Sequence, residues 1–156
     1  MNENAFLAIF PFLFIGFWLI VTTILWLLSG WKALQDRFPD RDEVPLKRLH
    51  FQSATFGSGF FGTNYGGCLR FDVCSLGLRV AVWRIFGPFS RPFFVPWSEI
   101  TAETKRFLGL PHYVFGFYRL RLGKPEVKSL VLSKRAAQRI ASASNGRLDM
   151  PPLGAA

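Results

Sequence analysis

Four side chains are of the types that metal or nucleophilic chemistry uses: His50, Cys68, Cys74 and His112. The two cysteines have five residues between them and the histidines lie far apart in the chain, whereas structural zinc sites pair cysteines across about two to four residues. A nucleophile needs a base and an orienting acid, and acid–base catalysis needs paired carboxylates. Asp72, Glu99, Glu103 and Glu126, the acids within the strands and turns predicted below, stand singly. No catalytic, cofactor-binding or metal-binding residue is therefore assigned. The chain is expected not to be an enzyme and to carry no cofactor; an enzymatic alternative would require a pocket with perturbed groups around His50 or His112. Two cysteines also make no secreted-type disulfide framework, so both are expected as free, buried, apolar-like thiols.

The basic residues have more to say. The net charge is +9, but residues 1 to 31 hold one charged side chain, Glu3. From Lys32 onward nineteen basic side chains face nine acidic ones, a local net charge of +10. Such a surplus suits nucleic acid, anionic lipid or an acidic protein. Beside a membrane segment the positive-inside bias accounts for much of it, so nucleic acid is not expected as a partner. Arg79, Arg84, Arg91, Arg119 and Arg121, with Lys105 and Arg106, are candidates for anionic headgroups or an anionic partner; their alternative is a solvated strand face.

The element that would place these cations at a membrane is the segment Ala5 to Leu28. It holds sixteen Phe, Leu, Ile or Val residues and no charge. At about −0.3 to −0.6 kcal/mol each, these favour insertion by roughly 5 to 10 kcal/mol before polar corrections. As a helix the segment covers about 36 Å, enough to span the hydrocarbon core with some tilt. A cleaved signal is the rival, but the segment is preceded by Glu3 and no basic residue, and no small-x-small site follows. Lys32, Arg37, Arg41, Lys47 and Arg48 all follow the helix, which predicts an inner-membrane, single-pass protein with its N-terminus outside and its domain cytoplasmic. Trp26, Trp31, Lys32 and Arg37 are expected at the headgroup level, the helical period through Trp31, Leu34 and Phe38 forming an interfacial stub.

The expected organisation is residues 1–31 as membrane helix with a short tail, 32–48 as juxtamembrane stub and linker, 49–147 as a β domain and 148–156 as a disordered tail. Within the domain, strands are predicted at Leu49–Phe56, Cys68–Cys74, Leu78–Phe86, Phe93–Trp97, Thr101–Leu108, Tyr113–Leu122 and Val127–Leu132. Ser133 should cap a helix over Lys134–Ser144, ended by Asn145 and Gly146. The loop Gly57–Gly67 carries five glycines with Phe60, Phe61 and Tyr65; these aromatics would either dip into the bilayer interface or cover one end of the barrel.

Phe94-Val95-Pro96-Trp97-Ser98-Glu99-Ile100, preceded by Gly77-Leu78 and Phe86-Gly87-Pro88-Phe89, resembles small bacterial membrane-anchored members of the pleckstrin-homology superfold, including its GRAM-like versions. The resemblance covers roughly Leu49 to Gly146. It implies a PH-like barrel of about seven antiparallel strands with a C-terminal capping helix. Phosphoinositide-binding relatives place basic residues around the first hairpin loop, and Gly57–Gly67 has none. The resulting expectation is a non-enzymatic interaction module that presents a basic β domain at the cytoplasmic membrane surface to a protein partner or anionic lipid. A structural membrane scaffold is the alternative.

Overall fold

The computed structural model describes residues 2–57, 62–105 and 116–152. Helix α1 (Glu3–Leu28) is followed by a short helix α2 (Trp31–Arg37), then by strands β1 (Lys47–Phe56), β2 (Thr63–Val73), β3 (Gly77–Val82) and β4 (Phe93–Pro96). A single 3-10 turn at Trp97–Glu99 leads to β5 (Ile100–Lys105), β6 (Phe117–Leu122) and β7 (Lys128–Ser133), and helix α3 (Lys134–Ala143) follows.

Helix α1 is apolar on every side, has a mean hydropathy of 2.4 over its most apolar 18 residues, and is long enough to cross a membrane. Most of its large side chains are exposed, Trp18 and Trp26 are half-buried, and Thr22 is its one buried residue. The hydroxyls of Thr22 and Thr23 donate back to the carbonyls of Trp18 and Leu19 at 2.9 and 2.7 Å, so neither needs an outside partner. The helix ends where Gly30 turns left-handed at φ 74°, a conformation that costs glycine little because it has no Cβ.

The seven strands form one antiparallel sheet in the order β4-β3-β2-β1-β7-β6-β5, which curls into a nearly closed barrel. One strand serves both halves. Most of β1 pairs with β2, the register slips on either side of Gln52, and its last three residues, Ala54 to Phe56, pair with β7. Such irregularities bend a strand, and this one throws Phe51 outward with φ 55°. The interior is filled by alternate residues of the strands, among them Leu69, Phe71, Val73, Leu78, Val80, Leu120, Leu122, Leu130 and Leu132. Ser133 accepts from the amide of Ala136 at 3.3 Å as the cap of α3, which lays Ala136, Ala137 and Ile140 on the core. Asn145 and Gly146, both at positive φ, end the helix.

Four boundaries differ from expectation. Strand β2 begins at Thr63 and not at Cys68, so the second half of the glycine-rich loop is strand paired with β1. Residues 32–48 are not a free stub and linker: Trp31, Leu34 and Phe38 are buried in the barrel core, and the segment after them lies against β3 and β4. The i, i+3, i+7 spacing of these three side chains marks an apolar helix face but not whether lipid or protein covers it. Strand β3 stops at Val82, four residues before Phe86. Leu148 is buried, and the Tyr118 hydroxyl donates to the Pro151 carbonyl at 3.2 Å, so the tail is held well past residue 147.

Candidate interaction surface

The joint between α1 and the barrel is built on Trp31, which is fully buried. Its indole packs against Phe93, Phe56 and Tyr65 with ring centroids 5.0, 5.1 and 5.7 Å away. Burial pushes the Tyr65 phenol up, with the Ser29 hydroxyl partly opposing. Trp31 Nε1 donates to the Arg91 carbonyl at 2.8 Å, and Gln35 Nε2 donates to the same oxygen at 3.1 Å. Gln35 Oε1 in turn accepts from Trp26 Nε1, on the last turns of α1, at 3.0 Å. The chain of contacts Trp26–Gln35–Arg91–Trp31 thus locks the end of α1, α2 and the β3–β4 loop together. Trp31 is therefore covered by protein and not open to lipid: an indole N–H facing a carbonyl inside an aromatic cage is a core contact.

Around this joint lies an open groove of about 770 Å³, lined by Trp26, Lys32 and Gln35 of the helices and Arg84, Phe89 and Arg91 of the loop, among others. Lys32 is exposed and pairs with Asp36 at 3.2 Å. Arg37 is exposed with its guanidinium over the Phe38 ring, 5.8 Å from the centroid. Phe60 and Phe61 lie outside the described residues, as do Arg106 and His112.

The five candidate arginines separate into three groups. Arg79 is buried and holds the segment after α2 onto the sheet: its Nε donates to Asp40 Oδ1 at 2.6 Å, and its Nη atoms donate to the Glu43 and Arg41 carbonyls. Its Nη1 also lies 3.7 Å from Asp72, a fully buried carboxylate that Arg48 and Arg70 approach at 3.8 and 3.2 Å. Burial works to lower the Arg79 pKa, and the bond to Asp40 together with the attraction of Asp40, Cys74 and Asp72 outweighs it, so the net direction is upward. Glu43 completes the clasp by accepting from the Ser75 hydroxyl and from the Leu76 amide. Arg79 is thus a structural residue, not a partner contact. Its type and exposed-face register gave no sign of this, because the acids that cover it come from a segment more than thirty residues away.

Arg119 and Arg121 are met by Glu126 at 2.9 and 2.8 Å, and Arg121 also by Glu103 at 3.0 Å. Much of their charge is spent inside the sheet. Arg121 is exposed too, but of the five only Arg84 and Arg91 combine exposure with the absence, among the described residues, of an acidic side chain at ion-pair distance.

These two flank a feature that periodicity hid. The β3–β4 loop displays Ile85, Phe86 and Phe89 at 64, 53 and 49% exposure. Trp83, partly exposed, packs on the outward Phe51 with centroids 4.9 Å apart. The loop backbone is closed on itself, since the amides of Phe86 and Gly87 both donate to the Trp83 carbonyl at 2.8 and 3.1 Å and Ser90 donates to Gly87 at 3.0 Å. The adjacent apolar pairs Val82-Trp83 and Ile85-Phe86 break a strand's alternation and were the available signal.

Cys68 and Cys74 are buried free thiols. Burial pushes both up, assisted at Cys74 by the neighbouring Glu43 carboxylate. Among the described residues, no three His, Cys, Asp or Glu side chains gather as a metal-binding group. No protein-family model and no curated protein matches this chain.

Proposed function

We propose that the chain is a single-pass membrane protein whose PH-like barrel is a non-enzymatic interaction module, held at the cytoplasmic surface of the inner membrane to engage an anionic lipid or protein partner. The observation that carries this reading is the joint: a helix apolar all round and uncharged after Glu3 runs through two residues directly into the aromatic core of the barrel. Water solvates such a helix poorly, and a bilayer satisfies it, because all its backbone bonds are internal. The seven-stranded antiparallel order and the helix α3 packed on it support the PH-like assignment. Arg84 and Arg91 beside the joint, which among the described residues have no acidic side chain at ion-pair distance, support an anionic partner.

The test is made on the full chain in membranes. It should resist extraction at alkaline pH, and a cysteine at Ser142, exposed on α3, should react with an impermeant maleimide only after the cytoplasmic side is opened. Release by carbonate, or labelling from outside, would sink the reading.

A further inference from the structure

We propose that the β3–β4 loop is a second membrane contact: Ile85, Phe86 and Phe89 enter the interfacial layer of the leaflet that holds the end of α1, with Arg84 and Arg91 on lipid phosphates. This rests on the reading that α1 spans the bilayer, and it adds the orientation of the barrel and the lipid chemistry it meets.

Three observations favour lipid over a protein as occupant. The loop has no freedom to leave the helix end, since its Arg91 carbonyl accepts from both Trp31 and Gln35, and Gln35 also holds Trp26 of α1. Phe89 and Trp26 line the same groove, which places the loop at the depth where a tryptophan near the end of a spanning helix sits. The side chains form a composite suited to that depth. Phe51, Ile85, Phe86 and Phe89 point outward over a loop whose turn amides are already bonded internally, while two arginines with no acidic side chain at ion-pair distance among the described residues flank them. A contiguous exposed apolar patch is unusual on a free protein surface, whereas rings beside cations match the boundary between acyl chains and anionic headgroups.

The experiment places a nitroxide at Phe86→Cys or Phe89→Cys in the full chain, reconstituted in vesicles of phosphatidylcholine with or without phosphatidylglycerol. Both native thiols are buried, and both substituted side chains are exposed, so neither labelling nor folding should be compromised; near-ultraviolet circular dichroism checks this. Collision with oxygen should exceed collision with an aqueous nickel chelate at least several-fold, as it should for a label at Leu28→Cys. Adding Arg84→Gln and Arg91→Gln should abolish any deepening caused by phosphatidylglycerol. If labels at 86 and 89 report water while Leu28→Cys reports lipid, the loop faces a protein or a second copy and this proposal is overturned. Deepening by phosphatidylglycerol that persists without the arginines overturns their assignment to phosphate. A water-exposed Leu28→Cys label would instead overturn the spanning reading itself.

Discussion

The Trp31 indole meets the Phe93 ring nearly edge-on, at 75° with centroids 5.0 Å apart, so the first residue of α2 is packed into the start of β4, sixty-two positions later in the chain. The end of α1 is joined to the barrel through this contact and not through a tether.

Removing that indole should be felt throughout the barrel. Trp31→Ala leaves a cavity between Phe56, Tyr65 and Phe93, and large aromatic truncations in cores cost about 3 to 5 kcal/mol. Denaturant unfolding of the detergent-solubilised chain should show a loss in this range. A loss below about 1 kcal/mol, typical of peripheral sites, would show that the joint is peripheral.

A related expectation concerns where the domain begins. A chain starting at Ser29 retains Trp31, Leu34, Phe38 and Asp40 and should melt cooperatively. One starting at Leu46 loses all four and should show broad, uncooperative unfolding by circular dichroism. Equal cooperativity in the two would mean that α2 is dispensable.

Arg79 and Arg121 make opposite predictions despite their shared type. Arg79→Gln leaves Asp40 and part of the Asp72 charge uncompensated, and breaking a buried pair costs on the order of 3 kcal/mol. It should also expose the segment from Asp40 to Leu46 to limited proteolysis. Arg121→Gln removes partly exposed pairs, and such pairs contribute roughly 0 to 1 kcal/mol. Similar losses in the two variants would refute the assignment of Arg79 as a clasp.

Gly30 is tested by Gly30→Ala. Its φ of 74° is unfavourable for alanine, at about 1 to 2 kcal/mol for a left-handed residue, and the added methyl would meet the Lys128 side chain. Adding Lys128→Ala should relieve the contact and leave the backbone part, so full recovery of stability in the double variant would argue against a left-handed joint.

The thiols give a pH dependence. Both Cys68 and Cys74 have pKa values raised by burial, so the folded chain keeps protons that the unfolded chain gives up. Their contribution to stability is present in full below the thiol pKa of the unfolded chain and is lost as pH rises through the folded values. Alkylation followed by mass at pH 8 should be slow in the native chain and fast in urea. Rapid native modification at both positions would contradict their burial.

The strands were legible because inward residues alternate, as Leu69, Phe71 and Val73 do, and α3 was legible from Ser133, its alanines and Asn145-Gly146. The uncharged run to Leu28 fixed α1. What composition could not convey was which surface each later residue meets. Trp31, Leu34 and Phe38 carry the same periodicity whether lipid or protein lies against them. Arg79 and Arg121 occupy equivalent outward registers, but Asp40 and the chain carbonyls cover one while the other stays half open. Charge partners drawn from distant segments are tertiary facts. The loop before β4 begins at Trp83 and not at Gly87: apolar residues on a displayed turn look like the continuation of a buried strand.

Two residues, Ser29 and Gly30, separate α1 from α2. If α1 spans a bilayer as proposed, an anchor so short gives its cargo no leash: the barrel could not reach outward for a partner and would travel wherever the lipid carried it. Encounters would then be confined to lateral diffusion, so whatever engaged the proposed module would itself have to arrive at, or already reside in, the same sheet of lipid.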